Sequence, residues 1–104
     1  MLDLIQGKEL KVYDAMAQEA GIPDYMVQGY FNYVEARIAP GDFLLAILRN
    51  DLVGAVFGAD QQNLASLRAH MLFCTWCIPG DCWGSRELVE KWLAKEGQND
   101  AIDA

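Results

Sequence analysis

The chain has 104 residues, 53% of them hydrophobic and 22% charged, and its 15 acidic and 8 basic side chains leave a net charge of −7 at pH 7. That length supports one domain rather than two, with roughly 60–65% of the unfolded surface available for burial, and the composition is far from that of a disordered chain. The acidic balance excludes general nucleic-acid binding and docking on anionic lipid, both of which need clustered Lys and Arg.

The first predicted helix spans Asp3 to Glu19, where Ile5, Val12, Tyr13, Met16 and Ala17 share a face at helical spacing. The N-terminus has neither a basic region nor a continuous apolar run, so it does not read as a signal peptide. No apolar stretch approaches the ~20 residues that span a bilayer. Three cysteines without an export signal fit reduced thiols, and a cytoplasmic location is expected.

Gly21 ends the first helix, and a second covers Pro23 to Arg37 with Met26, Tyr30, Tyr33, Val34 and Ile38 as its apolar stripe. Pro40-Gly41 breaks the chain, and Asp42 opens a segment, Phe43 to Leu48, that is apolar all round and reads as a central buried helix. Arg49-Asn50-Asp51 interrupts it before Leu52 to Phe57 turns apolar again. Gly54 and Gly58 each weaken a continuous helix by about 1 kcal/mol relative to alanine, so a kink or break is expected near Asn50.

Asp60 is the expected N-cap of the next helix, with Asn63 at N3 and Leu64, Leu67, Met71, Cys74 and Ile78 on one face. Pro79-Gly80-Asp81 ends it. Ser85 caps the last helix, whose apolar side is Leu88, Val89, Trp92 and Leu93, and Gly97 closes it. The fold class is therefore all-α: a single compact domain of five to six helices joined by short loops over residues 1–97, with 98–104 as a flexible acidic C-terminal tail.

For chemistry, His70-x3-Cys74-x2-Cys77-x4-Cys82 has the residue types of a tetrahedral zinc site. Against it, zinc modules pair two short-spaced ligand pairs, only one of which is present, and free cysteines commonly serve as small buried hydrophobes. Cys74-x-x-Cys77 lacks the βαβ setting of a redox motif. No phosphate loop, H-E-x-x-H or D-x-D appears. The reading is non-enzymatic, with no catalytic residues and no cofactor.

Polar groups within apolar surroundings are the better signal, because a buried unpaired one costs on the order of 1–3 kcal/mol. Asn50-Asp51, the pair Asp60 and Asn63, and the Cys82-Trp83-Gly84-Ser85 turn are those places. Read structurally, they are caps, a lid on the core and a helix junction. Read functionally, Arg49, Asn50, Asp51 and Trp83 line a shared polar groove, with Asp60, Asn63 and Ser85 as further binding residues.

Ile22-Pro23-Asp24-Tyr25-Met26, Tyr33-Val34-Glu35, Pro40-Gly41-Asp42-Phe43-Leu44, Ala46-Ile47-Leu48-Arg49-Asn50-Asp51-Leu52, Ala59-Asp60, Asn63 and Cys82-Trp83-Gly84-Ser85 with Trp92 resemble a group of small uncharacterised bacteriophage and prophage proteins. The likeness covers residues 22–93, leaving 1–20 as an added N-terminal helix, and Cys74 and Cys77 lie outside its pattern. It implies an accessory protein in the host bacterial cytoplasm that binds a host protein, a component of anti-phage defence. One alternative is an oligomeric sponge for a nucleotide signal, with Arg37, Arg49, Arg68 and Arg86 as the phosphate-binding side chains. A second is a zinc-binding regulator or small enzyme.

Overall fold

A computed structural model describes residues 9–103, and the side chains of residues 9–94. Among the described residues the fold is all-α, with no strand. Its helices are α1 (Leu10–Ala20), α2 (Val27–Ala36), α3 (Asp42–Leu48), α4 (Leu52–Gly58), α5 (Gln61–Ala65), α6 (Leu67–Cys77) and α7 (Arg86–Asp103). Single 3-10 turns at Asp24–Met26 and Gly80–Cys82 precede α2 and α7. No described helix is long and apolar enough to cross a membrane.

Seven helices stand among the described residues where the sequence predicts five to six: the expected break near Asn50 gives six, and a second break gives the seventh. At the first, Asn50 takes a left-handed conformation (φ 62°), which asparagine tolerates better than most residues. The turn is closed by Asp51 N–H donating to the Ala46 carbonyl at 2.8 Å. At the second, the expected single helix from Asp60 to Ile78 divides at Ser66. The Ser66 hydroxyl donates back to the Gln62 carbonyl at 2.7 Å, a local alternative to the helical ladder. The division leaves Leu64 exposed, although helical spacing places it on the core face of a continuous helix.

The caps fall where the sequence puts them. Asp60 Oδ1 accepts from Asn63 N–H at 2.8 Å, and Ser85 Oγ from Leu88 N–H at 3.1 Å. Asp51 caps α4 by accepting from Gly54 N–H at 3.0 Å. Gly97 does not close α7, whose helical backbone continues to Asp103; one glycine costs a helix about 1 kcal/mol and does not forbid it. α1 starts at Leu10, with Glu9 in extended backbone before it, so the helix predicted from Asp3 is not continuous through Glu9; the earlier part of that span, with Ile5, lies outside the described residues.

Tyr30 and Tyr33 of α2, Ile47 and Leu48 of α3, Phe73 and Cys74 of α6, and Val89 of α7 are fully or almost fully buried, and Tyr13 and Ala17 carry α1 into the same core. Long-range hydrogen bonds tie its polar atoms. Trp92 Nε1–H donates to the Tyr33 carbonyl at 2.9 Å, the Tyr33 hydroxyl to the Cys82 carbonyl at 2.6 Å, and Gly84 N–H to the Leu48 carbonyl at 2.7 Å. α2 ends on Arg37 at φ 58°, with its guanidinium carbon 3.8 Å from the centre of the Trp92 ring. Ile38, which helical spacing adds to the α2 stripe, lies beyond this left-handed turn and is exposed.

α3 and α4 form an antiparallel pair folded back at Asn50 and Asp51, and small residues make the close approach. A Cβ on Gly54 would stand 3.2 Å from Ala46 Cβ and 2.5 Å from Asp51 Oδ2, and one on Gly58 would stand 3.4 Å from Phe43 Cα. The expected result for Gly54→Ala is therefore destabilisation by about 1–2 kcal/mol, despite a helix-propensity gain of about 1 kcal/mol, because the methyl displaces the Asp51 cap. Asp51→Ala is expected to cost about 1 kcal/mol alone, and less in the Gly54→Ala background. Urea midpoints of the four proteins check both statements.

Candidate interaction surface

A polar chain crosses the interior from α2 to α5. His70 on α6 is fully buried, and its Nε2 lies 3.1 Å from Asn63 Oδ1 while its Nδ1 lies 2.8 Å from the Tyr30 hydroxyl. An amide oxygen only accepts, so Nε2 carries the ring proton and Nδ1 accepts from Tyr30. The Tyr30 oxygen in turn lies 3.7 Å from Cys74 Sγ, whose thiol is the donor. Asn63, also buried, donates through Nδ2 to Met26 Sδ at 3.4 Å. Burial pushes the His70 pKa down to about 4, against the opposing pull of the Asp60 carboxylate, so the ring is neutral at pH 7.

Towards solvent, Asp60 continues the chain. Its Oδ2 accepts from the Tyr25 hydroxyl at 2.6 Å. That bond and the backbone N–H groups at the start of α5 hold the Asp60 carboxyl below its ordinary range, while Tyr25 is pushed up to about 12, mainly by the same bond. Beside this pair a groove of ≈ 390 Å³ runs between Tyr25, Met26 and Gly29 on one side and Pro40 to Leu44 on the other, with Asp60 and Asn63 at its end.

The second surface feature is the outer face of α4. Phe57 is 84% exposed, Leu52 68%, Val53 65% and Val56 39%, whereas Ala55 alone of this helix is buried. Positions 52, 53, 56 and 57 share one side of a helix, and Gly54, Ala55 and Gly58 the other. An ordinary surface helix buries its large apolar face; α4 buries its small one.

The sequence-predicted binding residues do not line one common pocket. Asn50 and Asp51 lie over a pocket of only ≈ 30 Å³. It is walled by Ala46, Ile47, Leu52, Ala55, Leu67 and Met71, and does not include Arg49 or Trp83. Arg49 is half-buried, its Nε without a hydrogen-bond partner, and Trp83 packs on the edge of the core. Ser85 is occupied as a cap. Asp60 and Asn63 alone meet at a sizeable groove.

Among the described residues no group of three or more His, Cys, Asp or Glu side chains is arranged to hold a metal ion. His70 uses both ring nitrogens within the protein. Burial pushes Cys74 up to about 12 and raises Cys77 and Cys82 as well, so the three are protonated thiols at pH 7 rather than poised nucleophiles. Of the four arginines offered for phosphate, Arg37 is committed to the Trp92 ring, and the larger groove is lined by Asp42 and Asp60 and by no arginine.

No family model, curated protein or solved structure matches the chain.

The α4 face was missed by periodicity, because a helix with large and small apolar residues on opposite sides reads as buried throughout. The signal was Gly54-x3-Gly58, which marks the side that can approach a neighbour closely. The buried imidazole also has a measurable consequence. Unfolded, His70 titrates near the ordinary 6.5, so between that pH and about 4 the unfolded chain binds the extra proton and the folded one does not. Its contribution is complete above pH 6.5 and is lost as pH falls towards 4, on the order of 3 kcal/mol in total for the isolated group. Urea midpoints at pH 7 and pH 4.5 should therefore differ more in the wild type than in His70→Gln; equal differences would show that His70 does not carry this dependence.

Proposed function

We propose that this is a non-enzymatic binding protein that docks on a partner protein through the outer face of α4. The observation that carries the reading is the exposure of Leu52, Val53, Val56 and Phe57 together on one seven-residue helix. Burial of each such side chain is worth roughly 1.5–3 kcal/mol, which the isolated chain forgoes. A contiguous apolar face is a feature of protein contact sites. Acidic residues bracket it: Asp51 at its start, and Asp60 just beyond its end, with Asp42 on α3 beside Phe43, against whose backbone Gly58 packs. The complementary partner therefore has an apolar patch with a basic rim, and opposite charge there favours encounter and excludes other surfaces.

The likeness to small phage and prophage proteins supplies the setting: an accessory protein acting in the host cytoplasm on a defence component, whose nucleic-acid-binding surface would have the basic rim required. The acidic groove favours this reading over a nucleotide-signal sponge, because phosphate needs convergent cations.

Phe57→Asp tests the reading. The side chain is 84% exposed, so the variant is expected to unfold at nearly the wild-type temperature. Its affinity for a partner captured from host lysate and then purified is expected to fall by about 30-fold or more, the loss typical of a central aromatic anchor. Equal affinity of wild type and variant would overturn the assignment of α4. Light scattering across a concentration range separates a heterologous partner from self-association, in which case the wild type would dimerise and Phe57→Asp would not.

A further inference from the structure

We propose that the groove beside α4 receives a basic side chain, arginine or lysine, presented by the protein that α4 docks; the inference rests on that reading of α4 and deepens it. The groove and the docking face adjoin. Phe43 forms part of the groove wall, and its backbone is what Gly58 at the end of α4 packs against. Asp60, two residues beyond the end of α4, also lines it, so the groove lies at the C-terminal end of the docking helix.

The chemistry inside the groove selects a cation. Asp42 and Asp60 both line it, and no Lys, Arg or His does. The ion pair formed among the described residues, Lys11 with Glu9, involves neither carboxylate. The protein's own described cations thus leave this negative charge unneutralised. Asp60 is also held in place before any ligand arrives. One oxygen accepts from Asn63 N–H as the helix cap and the other from the Tyr25 hydroxyl, which still leaves each oxygen a lone pair for a guanidinium or ammonium N–H. A carboxylate fixed by two internal bonds needs no ordering on binding.

The walls suit the rest of such a side chain. Tyr25, half-exposed, offers an aromatic surface, and the partly exposed Met26 and Pro40 offer apolar surface to an aliphatic stem. At ≈ 390 Å³ the groove lies at the low end of ligand pockets, which run from about 300 to 1,000 Å³. It has room for one long side chain rather than for a folded segment. Arginine fits best, since its planar fork can bond a carboxylate through two nitrogens.

The test uses N-acetyl-arginine amide and its uncharged citrulline counterpart, titrated into the full chain while amide resonances of Gly41 and Asn63 are followed. Three variants accompany it. Asp60→Asn keeps a good N-cap and an acceptor for Tyr25 while removing the charge, and Asp42→Asn removes the other charge. Gly41→Trp fills the groove: Gly41 has ordinary extended backbone (φ −70°), and a Cβ there meets nothing within 4 Å.

The expected result is that the arginine probe shifts both resonances and the citrulline probe does not. Affinity should fall by about tenfold in each Asn variant, as for loss of a charge-assisted hydrogen bond, and binding should vanish in Gly41→Trp. No shift with the arginine probe, equal shifts with citrulline, or unaltered binding in Asp60→Asn and Gly41→Trp would overturn the inference. If those outcomes appear while Phe57→Asp still abolishes capture of the partner, the groove assignment alone falls. If the probe behaves as expected but Phe57→Asp captures partner normally, the α4 docking reading falls instead, and with it the statement that this partner supplies the cation.

Discussion

A fully buried imidazole needs partners for both ring nitrogens, since an orphaned polar group in the interior costs on the order of 1–3 kcal/mol. In this chain that requirement determines how three helices meet. Tyr30 of α2 supplies the donor and Asn63 of α5 the acceptor, so α6, which carries His70, is positioned relative to both. The neighbouring contacts are apolar and aromatic, with Tyr30 and Phe73 rings 4.6 Å apart and Phe43 edge-on to His70 at 5.0 Å. Apolar packing alone would tolerate rotation of α6 about its axis; two directional bonds from one ring do not.

The same chain of bonds sets up the surface. Asn63 is buried because it serves His70, and its backbone N–H is the group that Asp60 caps. Asp60 is thereby held where the Tyr25 hydroxyl can reach it, thirty-five positions earlier in sequence. The groove floor, the carboxylate at its end and the aromatic wall are thus outward parts of an interior network. A neutral imidazole serves that network better than a charged one, as burial ensures. Cys74 joins it as a thiol donor, which gives the cysteine of the abandoned zinc pattern a structural role.

α3 and α4 solve a different problem. A chain of modest core volume folds two apolar segments against each other through a left-handed Asn50, and the closer they approach, the smaller the residues between them must be. Gly54, Ala55 and Gly58 meet that condition, so the large residues of α4 have nowhere to go but outward. The exposed face follows from the packing of the other one. Its position between Asp51 and the Asp42 and Asp60 groove combines apolar contact with a negative rim.

Much of this was legible in the residues themselves. Helical periodicity, the caps at Asp60 and Ser85 and the break near Asn50 depend on interactions between near neighbours in sequence, which local sequence reports directly, and the all-round apolar run Phe43 to Leu48 announces its burial by composition. The extra break at Ser66 and the inverted face of α4 were not legible, because a serine that bends a helix and a glycine that fits against a neighbour look the same as ones that merely weaken it. Nor were the partners of Asn63 and His70. The residues alone determined an acidic all-α chain with its caps and its central helix. Bonds between Tyr25 and Asp60 or Tyr30 and His70, which join positions 35 and 40 residues apart, exist only once the helices pack, so the groove and the exposed face of α4 belong to the assembled fold.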